Sequence, residues 1–197
     1  MVKLSFLNEA LMILAITGTP GTGKTSVCKA LGLAVVDLNT VIQQKRFYTG
    51  IDAERGSFIA DLDTLKEYLS QEEKAVSIIE SHLAHLLEPE VAIVLRANPT
   101  LLSTRLTQKG FPARKIAENV EAETLDIIIA EAVVLCGVVY EVDTSEKSVE
   151  EVASVVREII YAEIEGVSRT RKALRDCYKP GSVDWTHLVN SVFGFND

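Results

Sequence analysis

Residues 18–25 carry the strongest chemical signal in this sequence. They read Gly-Thr-Pro-Gly-Thr-Gly-Lys-Thr, which fits the glycine-rich pattern of a phosphate-binding loop. Glycines let the backbone adopt positive φ and approach an anion, so that consecutive amides can point at phosphate oxygens. Lys24 can reach the β- and γ-phosphates with its positive charge, and the Thr25 hydroxyl is the expected ligand of a nucleotide-borne Mg²⁺. The motif therefore predicts binding of Mg·ATP.

The residues on either side of this loop predict the setting that such a loop needs. Residues 11–16 form an apolar run of strand length, and residues 26–31 follow the loop with apolar side chains at helical spacing. Because a helix that begins at the loop turns the positive end of its dipole toward an anion, this order favours phosphate binding. A glycine-rich turn without a ligand is the alternative, and the complete motif argues against it.

Two further polar residues follow a predicted strand over residues 75–79. Glu80 comes directly after this strand, and His82 lies two residues later. In open α/β sheets ligands bind beyond the carboxyl ends of the strands, so both side chains are expected near the phosphate-binding loop. Glu80 could hold a Mg²⁺-bound water or orient a nucleophile, and His82 could orient water or exchange a proton. The alternatives are a solvated acid and a structural histidine.

Two longer segments carry groups suited to substrate binding. Residues 38–68 have a loose pattern with a polar loop over 48–56, and they form a candidate lid or acceptor site. Arg46 and Arg55 supply cations that an acceptor phosphate needs. Residues 105–115 place four basic side chains around a Gly/Pro turn, which could close over the γ-phosphate and exclude water. A solvated turn between two helices is the alternative for this basic loop.

Length, charge and cysteine content narrow the class of protein. A chain of 197 residues has the size of one α/β domain with insertions. Its net charge of −8 argues against a broad nucleic-acid surface, because such a surface needs clustered Lys and Arg. The three cysteines are far apart, which predicts reduced thiols and a cytoplasmic protein. We expect neither a signal peptide nor a membrane span, since polar residues interrupt the apolar stretch near the amino terminus.

These patterns predict an α/β P-loop NTPase with a five-stranded parallel sheet flanked by helices. Residues 1–165 are expected to form a single domain, with an acceptor-binding insertion at about 37–60 and a short lid at about 108–118. One long helix is predicted from about residue 112 to 135. Residues 166–197 form a basic and then apolar tail, which is either docked on the domain or a partner-binding appendage.

The motifs together make the chain resemble the atypical adenylate kinases. This family comprises archaeal adenylate kinase-like proteins and the nuclear adenylate kinase isoenzyme 6 of eukaryotes. The resemblance spans about residues 13–160 and part of the tail. The matching segments and residues are 16–25, 48–52, 80–82, 94–96, Arg105, Leu106 and Gly110. The resemblance implies a nucleoside-monophosphate-kinase-like P-loop domain that moves the γ-phosphoryl of Mg·ATP to AMP, together with ATPase activity.

The resemblance also implies roles for individual residues. Those expected to bind ATP are Gly21, Gly23, Lys24, Thr25, Ser26, Lys109 and Lys147. Glu80 and His82 match the family's acidic-x-His pair and are expected to act in catalysis with Lys24. The AMP-side segment adds Asp37 and Asp52 to the candidates Arg46 and Arg55. The implied cofactor is Mg²⁺, with Thr25 as its protein ligand.

Two positions depart from the family's pattern, and two further hypotheses remain open. The family usually has Asp at the position of Glu80 and often has Arg at that of Lys109. Glu is one methylene longer, and Lys lacks the bidentate fork of Arg, so both changes bear on rate. The second hypothesis is an ATP-driven factor for maturation of the small ribosomal subunit that acts through a ribosomal protein. A kinase for another small molecule is the third.

Overall fold

The computed structural model describes residues 12–53, 56–71 and 75–194. The strands of this part are β1 (Met12–Thr17), β2 (Val36–Asp37), β3 (Tyr48–Asp52), β4 (Ser57–Ala60), β5 (Val76–Glu80), β6 (Val91–Arg96) and β7 (Val138–Asp143). Its helices are α1 (Lys24–Leu31), α2 (Leu38–Lys45), α3 (Leu62–Ser70), α4 (Pro99–Gln108), α5 (Ala113–Thr124), α6 (Ile127–Leu135), α7 (Val149–Glu165), α8 (Ser168–Cys177) and α9 (Val189–Phe193). Short 3₁₀ turns lie at Ala84–Leu87 and Thr186–Leu188.

A parallel sheet in the order β2-β5-β1-β6-β7 forms the centre of the molecule. It confirms the predicted five-stranded parallel sheet and the α/β class. Ile16 of β1 lies opposite Glu80 of β5, and Arg96 of β6 lies opposite Asp143 of β7. The carboxyl ends of these strands therefore meet at one edge of the sheet, beside the loop that follows β1.

Helices cover both faces of this sheet, which explains why its central strands are apolar throughout. All six residues of β6 are buried, as are the last four of β1. On one face Ile16 packs in a cluster with Val27 of α1 and Val156 of α7. On the other face Ala15 packs in a cluster with Leu65 of α3. Burying each large apolar side chain contributes about 1.5–3 kcal/mol, so the strand that leads into the phosphate-binding loop is firmly held.

Residues 48–52 form strand β3, whereas the sequence predicts that they begin a polar loop. β3 and β4 instead pair as an antiparallel hairpin, in which Tyr48 lies opposite Ala60. The rings of Tyr48 and Phe58 pack with their centroids 4.5 Å apart across the two strands. A cross-strand ring contact of this kind stabilises a hairpin without an alternating apolar pattern, which is why the pattern alone missed it.

The single long helix predicted over residues 112–135 is also wrong, because two helices occupy this stretch. α5 ends at Thr124 and α6 begins at Ile127, and Asp126 between them has a φ of 57°. The guanidinium of Arg96 donates to the Glu123 carbonyl at 3.1 Å and to the Asp126 carboxylate. These contacts engage the carbonyl that a continuous helix would pair with the amide of residue 127. A long-range contact therefore ends α5.

The described part of the chain after residue 166 contacts the domain at Tyr178 and Trp185. The Glu141 amide of β7 donates to the Tyr178 carbonyl at 2.8 Å, and Trp185 is buried. At the opposite edge of the sheet β2 is short, since only Val36 and Asp37 pair with β5. In the described parts of the chain, every helix is too short or too polar to cross a membrane.

Candidate nucleotide-binding site

The phosphate-binding loop joins β1 to α1 and needs glycine for its shape. Gly18, Gly21 and Gly23 have φ values of 133°, 99° and 103°, which side-chain-bearing residues rarely adopt. A β-carbon on Gly18 would lie 2.2 Å from the carbonyl oxygen of Leu95, and one on Gly21 would lie 2.8 Å from the Leu102 side chain. The loop is therefore packed closely against β6 and α4, and this contact defines the path of its backbone.

Lys24 opens α1 and points its amine back into the loop. Its Nζ donates to the carbonyl oxygens of Gly18 at 2.7 Å and Thr19 at 3.1 Å. Burial lowers the pKa of this amine to about 8, although the negative charges of Glu80 and Glu123 oppose the change. At pH 7 the amine is still mostly protonated, so a positive charge lies at the centre of the loop, where a phosphate would bind.

Thr25 and Glu80 face each other across the end of β5. The Thr25 hydroxyl lies 3.4 Å from each carboxylate oxygen of Glu80. Burial raises the pKa of the Glu80 carboxyl, and the positive charge of Lys24 opposes that change. Hydroxyl and carboxylate oxygens are donors that Mg²⁺ prefers, so the pair fits a magnesium site. Among the described residues no group of three or more His, Cys, Asp or Glu is arranged to hold a metal, so nucleotide and water would supply the other ligands.

His82 lies beyond Glu80 and is neutral at pH 7. Burial lowers the pKa of its imidazole to about 4, and the positive charge of Lys24 acts in the same direction. A neutral ring has one N–H to donate and one nitrogen to accept, which suits the orientation of a substrate oxygen. The neighbouring His85 is different, because its two ring nitrogens lie 3.1 Å from Thr17 Oγ1 and 2.9 Å from Glu131 Oε2.

Replacing His82 with glutamine is expected to change how stability depends on pH. The folded protein holds the His82 pKa at about 4, below the ordinary value of 6.5. The unfolded chain therefore binds more protons between these two values, and acidification through this window destabilises the folded state. We expect the wild type to lose about 2 kcal/mol more than the variant between pH 6.5 and 4. Urea unfolding across this range measures the difference, and equal losses would contradict the prediction.

A cavity of about 270 Å³, here called the nucleotide-side cavity, borders the loop. The predicted ATP-binding residues that line it are Gly21, Gly23, Ser26, Lys109 and Lys147. Arg105, which the sequence marks as a basic residue and as a match to the family but not as an ATP ligand, also lines the cavity and donates to the Thr144 carbonyl at 3.2 Å. Gln108 and Val149 were not singled out, and they complete the wall on either side.

A second cavity of about 520 Å³, here called the acceptor-side cavity, lies between α2, the β3–β4 hairpin and His82. Asn39 and Gln43 of α2 line it with amide groups, and Phe58 and Leu86 line it with apolar surface. Sequence reasoning found the segment and missed these residues. The helical spacing of Asn39 and Gln43 is the signal that could have paired them, since residues four apart share one helix face.

Three predicted acceptor-binding residues, Asp37, Arg46 and Asp52, are not part of the described wall of this cavity. Asp37 caps α2, and its carboxylate accepts from the Asn39 amide at 2.9 Å and the Thr40 hydroxyl at 2.8 Å. Arg46 is exposed at the far end of α2, and Asp52 ends β3. Arg55 lies outside the described residues. Their roles as acceptor ligands stay predictions.

Comparison with known proteins agrees with this architecture. A family model described as "AAA domain" matches residues 14–126, more than half of the chain. A protein named "Putative adenylate kinase" from Methanosarcina barkeri is 41% identical over 186 residues, which cover 90% of this chain and 100% of that protein. A protein of the same name from Archaeoglobus fulgidus is 42% identical over 175 residues, or 88% of this chain and 92% of the relative. The chain belongs to this archaeal adenylate kinase-like family.

Comparison with solved structures shows that this chain shares the fold of shikimate kinases. Shikimate kinase from Acinetobacter baumannii, solved with shikimate, superposes with a TM-score of 0.56 at 14% identity, covering 81% of this chain and 97% of that one. Shikimate kinase from Bacteroides thetaiotaomicron superposes with a TM-score of 0.51 at 18% identity, covering 76% and 98%. At such low identity the likeness concerns the fold alone. It confirms the predicted P-loop fold class.

Proposed function

We propose that this protein moves the γ-phosphoryl group of Mg·ATP to AMP and yields two molecules of ADP. The observation that carries the proposal is that two separate cavities border one group of residues. This group, here called the phosphate-binding cluster, consists of the phosphate-binding loop, Glu80 and His82. The nucleotide-side cavity is bordered by the loop, and the acceptor-side cavity is bordered by His82. A donor and an acceptor each need such a cavity, and the shared name of the archaeal relatives supports AMP as the acceptor.

The residues of the cluster divide the work of this transfer. A phosphate oxygen of AMP forms a bond to the γ-phosphorus, while the bond from that phosphorus to the β–γ bridging oxygen breaks. Lys24 and the loop amides stabilise the charge of the transferred group, and Lys109 adds positive charge from the lid. Mg²⁺ held by Thr25 and Glu80 would neutralise phosphate charge. Neutral His82 orients the attacking oxygen by a hydrogen bond and forms no ion pair with it.

A coupled assay of ADP formation tests the proposal. We expect turnover that depends on Mg²⁺, ATP and AMP together. A protein that binds ATP and shows no AMP-dependent turnover would overturn it. The same assay with other nucleoside monophosphates and with hydroxylated small molecules separates an adenylate kinase from a kinase for a different acceptor.

Replacing Gln43 with alanine is expected to raise the KM for AMP about 5- to 10-fold and to leave the KM for ATP unchanged. Gln43 lines the acceptor-side cavity and not the nucleotide-side cavity, so its amide can contact the acceptor and not the donor. Gln44→Ala is a matched control, because this neighbouring side chain is exposed and outside the cavity wall. If both variants show the same KM for AMP, the acceptor does not bind beside α2.

A second candidate function is an ATPase that assists assembly of the small ribosomal subunit through a ribosomal protein. The observation that favours it is the basic surface of α8, where Arg169 and Lys172 are exposed. Glu80 and His82 would then orient water in place of AMP. Phosphate release, measured with and without a small-subunit ribosomal protein, tests this candidate. Unchanged ATP hydrolysis and no binding to α8 would exclude it. The predicted cytoplasmic location fits either function.

A further inference from the structure

A buried network of charges lies behind the phosphate-binding loop, around Arg96 at the end of β6. Arg96 is 1% exposed. Its Nε donates to the Glu123 carboxylate at 2.7 Å, Nη1 donates to the Glu141 carboxylate, and Nη2 donates to the Asp126 carboxylate. Glu123 and Glu141 are also buried, so a single guanidinium balances two carboxylates in the interior. None of these groups belongs to the transfer chemistry described above.

One branch of this network ends on the phosphate-binding loop. Glu123 Oε2 accepts from the Thr19 hydroxyl at 2.5 Å, and its Oε1 accepts from the Ala97 amide at 3.0 Å. The Thr19 carbonyl in turn accepts from the Lys24 amine at 3.1 Å. Glu123 lies near the end of α5, whose first residues belong to the predicted lid. This carboxylate therefore ties the lid helix to the loop residue that holds Lys24.

The other branch ends on residues 178–194, here called the docking segment. Glu141 Oε2 accepts from the amides of Ser182 at 2.9 Å and Val183 at 3.3 Å. The Glu141 amide donates to the Tyr178 carbonyl, so β7 holds this segment through backbone and side chain alike. The last helix of the segment, α9, also packs on α5. Both ends of the docking segment therefore touch elements that position the loop.

Removing one partner from such a network leaves a buried charge without compensation, which is costly in a low-dielectric interior. If the Glu141 side chain moves, Arg96 must therefore move with it to keep their ion pair. A movement of Arg96 must in turn move Glu123 and the Thr19 hydroxyl that donates to it. We propose that Arg96 is a positioning residue that couples the docking segment to the phosphate-binding loop, so that docking of the segment and binding of ATP strengthen each other. The proposal rests on the ATP-binding part of the proposed function and not on the identity of the acceptor.

The substitution Glu141→Gln tests the coupling from the side remote from ATP. It keeps the shape of the side chain, and we expect Mg·ATP affinity to fall about 5- to 10-fold while the acceptor KM changes less than twofold. Glu163→Gln is the matched control, because Glu163 is buried and binds the Tyr140 hydroxyl and Arg175, away from the loop. We expect both variants to melt at a lower temperature and only Glu141→Gln to bind ATP more weakly. Equal ATP affinities would overturn the proposal.

A double-mutant comparison with Thr19→Val shows whether the effect travels along the named contacts. If it does, adding Glu141→Gln to Thr19→Val weakens ATP binding by no more than about a further twofold. The reason is that Thr19→Val has already removed the hydrogen bond that links the network to the loop. If the two losses multiply, the residues act independently and the proposal fails. ATP affinity is measured without AMP, so a missing kinase activity would overturn the proposed function and leave this test intact.

Reciprocity supplies a test on the unmodified protein, which does not depend on any variant folding. If docking favours ATP binding, then ATP binding must favour docking by the same factor. We expect saturating Mg·ATP to slow amide hydrogen exchange at Ser182 and Val183 about 5-fold more than at Arg171, whose amide donates to the Val167 carbonyl at the start of α8 at 3.0 Å. Equal slowing at all three amides reports global stabilisation only, and that result would overturn the coupling.

Discussion

Replacing Lys24 with methionine is expected to lower kcat for ADP formation by at least about 10³-fold. The amine is the charged side chain at the centre of the loop, where it donates to the carbonyls of Gly18 and Thr19. The Lys24 side chain is only 7% exposed, and a water molecule in its place would carry no positive charge. Lys29→Met is the control, since Lys29 is an exposed lysine on the same helix. A coupled assay with both purified variants measures the effect.

The same substitution is not expected to destabilise the protein. Burial holds the Lys24 pKa at about 8, below its ordinary value of 10.5. The unfolded chain therefore binds more protons between these values. At every pH below about 8, the buried charged amine lowers the free energy of unfolding. Removing that amine relieves this cost, so the melting temperature at pH 7 should stay equal or rise. A variant that is inactive and also unfolded would contradict this account, whereas one that is folded and fully active would exclude Lys24 from the chemistry.

Replacing Glu80 with glutamine is expected to lower kcat about 10²-fold, with a smaller change in ATP affinity. The substitution keeps the volume at the end of β5 and removes the negative charge that faces the Thr25 hydroxyl. Aspartate keeps that charge, so Glu80→Asp should retain much of the activity that the glutamine variant loses. Glu88→Gln is the control, because this acid is exposed and pairs with Lys66. Activity is measured across Mg²⁺ concentrations to separate metal binding from chemistry.

The pH dependence of kcat provides a second test of the role of Glu80. Burial raises the pKa of its carboxyl, so the active, ionised form should be lost on acidification earlier than for an ordinary glutamate. The acidic limb of kcat in the wild type should therefore lie above the usual glutamate range, and it should be absent from the glutamine variant. Full activity of Glu80→Gln at every pH would assign the metal and the acceptor to other groups.

The sequence by itself determined the parts of this protein that depend on local chemistry. The loop over residues 18–25 was recognisable because only glycine can adopt its backbone and because Lys24 and Thr25 must follow at a set spacing. The parallel sheet was recognisable because strands buried on both faces are apolar throughout. Glu80 and His82 could be placed near the loop because strand ends share one edge of the sheet. The S-x-x-E spacing of Ser148 and Glu151 is likewise that of a capping box, which is present at the start of α7.

Only the tertiary structure decided the features that arise from residues far apart in sequence. The break between α5 and α6 comes from Arg96, which reaches the Glu123 carbonyl across 27 positions. The β3–β4 hairpin depends on a ring contact between strands, and the wall of the acceptor-side cavity combines α2, that hairpin and His82. Contacts of this kind leave no periodic pattern, because each side chain meets a partner that local spacing does not specify. A short motif therefore predicts the chemistry of this site. The walls of its substrate cavities and its coupling to the docking segment depend on how the whole chain packs.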